Sequence, residues 1–295
     1  MIEPEIEPFT PTEAAEYDGK DKIVHFMDYL KEKGKSVNSL KKFRCEYTAF
    51  DSAIDGLSTG EVIVITGHRK EGKTTFGESW LRSMLKKDKS AKAVILSYEM
   101  PPFQLLQKYK DEPDQPIYVP MNLQAANFEW LTHRCMEAKY KYMANIVMID
   151  HLDHMIDMSV QQHMSLNIGG FMRRLKMDIA MKLNLAIILI AHQGQPKESK
   201  EPSVDTLRGS SSIGQESDAT IVVMRKENLD DADMKEFESK YGEEKAAKIQ
   251  PPPLSDPDDK SSAKLAIVKI DCHRRTGAWK WKKLFRKVGE FMEEV

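Results

Sequence analysis

The residues whose chemistry is most legible form the run Gly67-His68-Arg69-Lys70-Glu71-Gly72-Lys73-Thr74, a glycine, four residues, then Gly-Lys-Thr. This spacing is that of a phosphate-binding loop. Its glycines let backbone N–H groups curl around phosphate oxygens, and a helix starting at its end adds a favourable dipole. In such a loop Lys73 reaches the β- and γ-phosphates, the Thr74 hydroxyl holds Mg²⁺, and Thr75 completes the cradle. Three further residues have chemistry to offer, each at the end of an apolar run. Glu99 could polarise the water that attacks a γ-phosphate. Asp150 is the expected ligand to a Mg²⁺-bound water, and the Gln193 amide could hydrogen-bond the γ-phosphate or the attacking water. His151, Asp153, His154 and His163 also carry metal-ligating atoms. They show no complete ligand set at a recognisable spacing, so we read them as loop residues.

The flanking pattern predicts how these groups are positioned. Glu61–Thr66 is a β-branched run that reads as a buried strand, and Thr75–Leu85 reads as a helix with Phe76, Trp80, Met84 and Leu85 inward. Further strands are expected at Lys92–Tyr98, Ile146–Asp150, Leu185–Ile190, Thr220–Met224 and Leu265–Ile270. Helices are expected at Asn122–Lys141, with Leu131, Cys135 and Met136 inward, and at Ile168–Leu183. Strands alternating with helices imply an α/β fold with a mostly parallel central sheet flanked by helices. Ligands in such sheets bind at the carboxyl ends of the strands, where Glu99 and Asp150 would lie.

Around this core the chain changes character. Residues 1–20 are acidic and Pro-bearing and read as a disordered arm. Residues 21–47 read as a short helix and a connection, with Ile23, Phe26, Met27 and Leu30 in one apolar stripe and Gly34 as a stop signal. Residues 48–295 form the main domain, and Gly56 and Gly60 mark a turn before the phosphate-loop strand. Gly194–Ser217 is loop-like, with Lys197, Lys200 and Arg208 among small residues, a composition able to approach a phosphate backbone closely. Residues 227–262 read as an acidic insertion. Its stretch Glu227–Asp259 holds eleven acidic and four basic residues. The final hairpin is the reverse, with nine basic residues and one acid, Asp271, between Lys264 and Lys287. His273-Arg274-Arg275-Thr276-Gly277 forms its turn.

Composition narrows the class. Of the 295 residues 41% are hydrophobic and 31% charged, and mean hydropathy is −0.52, which suits a soluble protein with a substantial core. No apolar run approaches the ~20 residues of a membrane span. The acidic N-terminus resembles neither a signal peptide nor a transit peptide, and three scattered cysteines suggest a reducing, cytoplasmic setting. With a net charge of −2 there is no overall basic signature for nucleic acid.

Four blocks, taken in order, carry a family resemblance. They are Gly67–Thr75, Ser97-Tyr98-Glu99-Met100, Asp150-His151-Leu152-Asp153-His154-Met155, and Leu207-Arg208-Gly209-Ser210-Ser211-Ser212-Ile213-Gly214-Gln215-Glu216-Ser217-Asp218. In these the chain resembles the RecA-like motor domain of the DnaB-type replicative helicases and their relatives, including Twinkle and the phage primase-helicases. The likeness spans about residues 48–285, less the insertion. It implies a RecA-like P-loop NTPase core, a short N-terminal linker helix that docks on the next subunit, ATP and Mg²⁺ as cofactors, and single-stranded DNA as ligand. It further implies a homo-hexamer and, among partners, a primase or other replisome proteins. By the same resemblance Glu99 is the catalytic carboxylate, Lys73 and Thr74 bind phosphates and Mg²⁺, and Asp150 is the Mg²⁺-linked acid. Gln193 is the γ-phosphate sensor, and Arg208, with Lys197, Lys200, Gly209 and Ser211, grips the strand. Arg274 or Arg275 is the finger that completes a neighbour's site. Gly209 departs from the acidic residue usual there, and the N-terminal region is short for the family. A filament-forming recombination ATPase and a non-motor NTPase loader are the alternatives.

Overall fold

The computed structural model describes residues 10–19, 22–29, 31, 40–112, 114–156, 164–192, 210–226 and 265–295. The chain divides into two units, Met1–Leu40 and Lys41–Val295.

In the first unit Pro11–Ala15 forms a short helix, α1. The composition suggested an unstructured arm here. A local signal overrides it: the Thr10 hydroxyl accepts from the Glu13 N–H at 3.3 Å, and the Glu13 carboxylate accepts from the Thr10 N–H at 2.9 Å. This reciprocal pair is a capping box, with proline in the first turn. Residues 26–29 and 31 are also helical. The predicted helix therefore starts later than residue 21, and Ile23 falls before it. Ile23, Phe26, Met27 and Tyr29 are exposed. Leu30 and Gly34 lie outside the described residues.

The second unit opens with Lys42–Phe43 (β1) paired to Leu57–Ser58 (β2) around helix α2, Thr48–Ile54. Its main sheet comprises β3 (Val62–Gly67), β4 (Ala93–Ser97), β5 (Ile117–Tyr118), β6 (Ile146–Asp150), β7 (Ala186–His192), β8 (Ala219–Lys226), β9 (Leu265–His273), β10 (Trp279–Val288) and β11 (Phe291–Glu294). The spatial order is β11-β10-β9-β8-β3-β7-β6-β4-β5. Strands β8, β3, β7, β6, β4 and β5 are mutually parallel, and β9, β10 and β11 add an antiparallel flank. Strand β3 is buried along its whole length. It reads as a continuous β-branched run because both its faces are covered.

Alternate residues of β3 serve different faces. Ile63 and Ile65 join one core cluster with Phe50, Ile54, Phe76, Trp80 and Met84, from α2 and from α3 (Lys73–Lys87). Val62 and Val64 join the other, with Leu131, Cys135 and Ala138 of α5 (Phe128–Tyr142) and with Ile168, Phe171 and Leu175. The latter three come from α6 (Met164–Arg174) and its wider-turned continuation to Met181. Between these, α4 (Pro102–Lys108) follows Glu99, while α7 (Ser210–Glu216) precedes β8. The Phe76, Trp80, Met84 and Leu85 stripe is buried as the spacing predicts. Met136 corrects the pattern: it is exposed, and Ala138 takes the inward position. An unbranched, flexible side chain is tolerated on either face, so its polarity is a weak guide.

Strand β11 was not foreseen, and it ties the first elements to the last. The Met292 N–H donates to Ser79 Oγ at 2.8 Å, the Tyr47 hydroxyl donates to the Met292 carbonyl at 2.7 Å, and Glu294 accepts from the Ala49 and Phe50 N–H groups at 3.0 and 3.1 Å. Glu294 thus satisfies free amides in the first turn of α2. Phe50 is fully buried, and its ring meets Phe76 at 5.5 Å and Trp80 at 5.3 Å, both edge to face. Phe50→Ala is expected to cost about 3–5 kcal/mol, read as a lowered midpoint in urea, whereas the exposed Tyr140→Ala should stay within about 0.5 kcal/mol. Equal midpoints for the two variants would show that α2 is not part of the core.

Candidate active site

The phosphate loop takes its shape from two backbone positions. Gly67 closes β3 with φ +153°, and a Cβ there would lie 2.3 Å from the Val223 carbonyl of β8. Gly72 has φ +88° and caps α3, where its carbonyl accepts from the Phe76 N–H at 2.8 Å. These conformations and this close approach suit a residue without a side chain. Glu71 accepts from the Arg225 N–H, which pins the loop to β8.

Four strand ends meet at this edge. In register, Gly67 pairs with His192, Asp150 with Ile190, and Ser97 with Asp150. The carboxyl ends of β3, β7, β6 and β4 therefore deliver their last residues to one cleft of about 620 Å³. Its lining includes Arg69, Lys70, Lys73, Thr74, Glu99, His151, Asp153, His154 and His192. Lys73 is 4% exposed, and its ammonium donates to the His68 carbonyl at 2.7 Å across the loop. Burial pulls its pKa down to about 8, against the opposing charges of Glu99 and Asp150. The Thr74 hydroxyl donates to Asp150 Oδ2 at 3.0 Å. Asp150 is 1% exposed, and burial, then the Glu99 charge, raises its pKa to about 7.

These groups fit a nucleotide phosphate chain and a dication. Asp150 Oδ1 is buried with no hydrogen-bond partner among the described residues. A buried carboxylate oxygen without a partner is costly, and a metal-bound water is a fitting donor. Phosphate beside Lys73 and a dication beside Asp150 would each favour the charged form that burial disfavours.

Glu99 follows β4, and its side chain is 42% exposed toward the cleft. Its Oε1 lies 3.1 Å from His151 Nε2 and 3.1 Å from His192 Nε2. Burial lowers the His151 pKa to about 4, so this imidazole is neutral. The His151 and His192 rings meet with centroids 4.2 Å apart, and His154 stacks on Tyr98 at 5.6 Å. His151, Asp153 and His154, read from sequence as loop residues, thus stand in the cleft; His163 lies outside the described residues. His192 was missed altogether. Its signal was present, since it precedes Gln193 at the end of a parallel strand, but only the β6–β7 pairing brings it to Glu99.

The remaining candidates separate. Gln193, Lys197, Lys200, Arg208 and Gly209 lie outside the described residues. Ser211 falls in the first turn of α7, and its side chain is likewise outside them. Arg274 and Arg275 occupy the β9–β10 turn at the opposite end of the sheet, where His273 pairs with Ala219 at the start of β8. The Arg274 guanidinium donates to the Gln215 carbonyl. Arg275 is held more completely: it donates to Glu61 at 2.5 Å, Asp55 at 2.7 Å and the Gly56 carbonyl at 2.7 Å. Strand β3 separates this turn from Gly67, and its six residues span about 17 Å.

A buried P-loop strand, a strand-end acid on either side and a covered parallel sheet define an NTP-hydrolysing protein of the RecA-like P-loop class. Residues 43–115 and 111–269 match the DnaB-like helicase C-terminal domain, and the chain belongs to that family. Solved structures of similar fold include an isolated ATPase domain, at TM-score 0.64 and 17% identity over 93% of this chain and 100% of that one. A structure of a DnaB-like replicative helicase and its interactions with primase aligns at TM-score 0.63 and 16% identity, over 93% of this chain and 68% of that one. No curated protein matches the chain in sequence. Among the described residues no helix is long and apolar enough to cross a membrane.

Gly67→Ala is expected to abolish binding of a fluorescent nucleotide analogue, because the new methyl collides with a strand carbonyl. Gly60→Ala faces open space; its left-handed backbone costs about 1–2 kcal/mol, with nucleotide affinity kept. Equal nucleotide affinity in the two variants would show that the Val223 contact has no bearing on the loop.

Proposed function

We propose that this chain is an ATP-driven, ring-forming translocase on single-stranded DNA, a helicase motor whose sites are shared between neighbouring subunits. One observation carries this reading. The Arg274–Arg275 turn lies at the end of the sheet opposite to the phosphate loop of the same chain. A basic hairpin so placed serves a neighbour's γ-phosphate, and a closed ring, a homo-hexamer as in the family's pattern, lets every subunit give and receive one. Arg275 is the hairpin's anchor, through Glu61 and Asp55, and Arg274 is the finger.

Within the site, Lys73 and the loop amides would hold the β- and γ-phosphates of ATP. Thr74 and Asp150 would hold Mg²⁺, which offsets charge on the transferring phosphoryl group. Glu99 would orient the attacking water and accept its proton, steadied by His151 and His192. Gln193 would report the γ-phosphate to the loops that grip the strand, through Lys197, Lys200, Arg208, Gly209 and Ser211. The stripe at Phe26 and Met27 would dock on the next subunit, and a primase, as in the similar helicase structure, is a partner to test.

The decisive experiment measures native mass with ATP and single-stranded DNA, then hydrolysis and strand displacement. Closed rings are expected; open filaments would favour a recombination ATPase, and no DNA-stimulated hydrolysis a non-motor NTPase. Lys73→Ala and Glu99→Gln should each abolish hydrolysis, and persistence in both would sink the site assignment. Arg274→Ala should bind ATP normally yet lose roughly 10³–10⁵-fold in hydrolysis, the range for arginine fingers. Mixed with wild type it should poison activity more steeply than its fraction in the mixture, and strictly proportional loss would refute sharing.

A further inference from the structure

The three-sided contact of Glu99, His151 and His192 has a geometry that hydrolysis alone does not require. We propose that these three side chains form a binding site for a borderline divalent transition-metal ion of the Zn²⁺ class, and that its occupancy inhibits hydrolysis. The inhibitory part rests on Glu99 being the carboxylate that orients water. Binding of the ion does not depend on that reading.

Each residue turns one ligand atom inward, Glu99 Oε1, His151 Nε2 and His192 Nε2, and all three lie within 4.8 Å of one another. Glu99 Oε1 is 3.1 Å from both nitrogens. A tetrahedral Zn²⁺ with nitrogen and oxygen ligands at 2.0–2.1 Å holds its ligands about 3.3–3.4 Å apart. The two Glu–His edges therefore need to open by only a few tenths of an ångström, and the third is bounded by rings already in contact. Two imidazoles and one carboxylate leave a fourth position open, and this donor set favours Zn²⁺, Co²⁺ or Ni²⁺ over the hard, all-oxygen preference of Mg²⁺.

The surroundings suit the exchange of a proton for a metal. The Asp153 N–H donates to His151 Nδ1 at 3.3 Å, so the ring proton sits on Nε2, facing Glu99. When an ion takes Nε2, that proton passes to Nδ1, where Asp153 Oδ2 stands 3.7 Å away to receive a charge-assisted hydrogen bond. A carboxylate behind a metal-bound histidine is the usual outer support of such sites. His192 Nδ1 is buried and has no hydrogen-bond partner among the described residues, so nothing there competes for the ring. The histidine side chains are 8% and 18% exposed and Glu99 is 42% exposed, so an ion reaches the site from the cleft. Lys73 and Thr74 take no part, so nucleotide binding persists while the Glu99 oxygen is withdrawn from water.

The test uses the full chain without nucleotide, titrated with Co²⁺. One equivalent with the visible d–d bands of a tetrahedral ion, displaced by Zn²⁺, is expected. His151→Asn and His192→Asn should abolish the bands, and Asp153→Asn should weaken binding by ~10–100-fold, the range for outer-sphere supports; thermal melts establish that each variant is folded. No bands in the wild type, or bands surviving in both histidine variants, would overturn the site. In Mg²⁺-ATP, Zn²⁺ should stop hydrolysis without displacing bound nucleotide. Undiminished hydrolysis with the ion bound would overturn the inhibition and with it the role of Glu99, while the ion site would stand.

Discussion

Parallel strands in step are the constraint from which the site follows. Because β3, β7, β6 and β4 run the same way, Gly67 comes level with His192 and Ser97 with Asp150. No long-range search by individual side chains is needed; backbone pairing delivers them together. The Thr74–Asp150 hydrogen bond then links the loop to the neighbouring strand end. A register slip of one residue would turn each of these side chains to the other face. The unbroken apolar runs that fix the register are thus also what fix the chemistry.

Burial gives that edge its electrostatic character. Lys73 and Asp150 are both enclosed, and each is pushed toward its neutral form. Glu99 stays half-open and takes its hydrogen bonds from two imidazoles. A site arranged this way is most favourable when phosphate and dication enter together, since each offsets the charge that burial penalises. Affinity and catalysis draw on the same desolvation.

How much of this was legible depended on range in sequence. The phosphate loop, Glu99 and Asp150 were readable because each sits at the end of a continuous β-branched run, a signal confined to a few residues. The six longer strands and the stripe of α3 were readable for the same reason. β5, two residues long, and β11 gave no such run, and α2 passed as a turn because Gly56 and Gly60 dominate the local pattern. α1 was hidden by acidic composition although Thr10 and Glu13 spell out its cap. His151 and His192 could be recognised only through pairing between β6 and β7, which no local window contains. The distance between Arg274 and the phosphate loop is likewise a property of the antiparallel flank, where β9 returns alongside β8 to the start of the sheet.

Strand β11 has a mechanical consequence. Through Ser79 and Met292 it is bonded to the helix that carries Lys73, and through Glu294 and Tyr47 to the segment that leads into β3. The phosphate-loop helix is therefore clamped between a strand near the end of the chain and the segment that enters the domain. Close-packed rings at Phe50, Phe76 and Phe285 leave little slack in that clamp. A tug on the connection around residues 41–47 is transmitted to the phosphate loop as a load, and movement of the loop returns along the same route. The domain is built like a strain gauge, with its sensing element at one end of α3 and its mounting points along the other side.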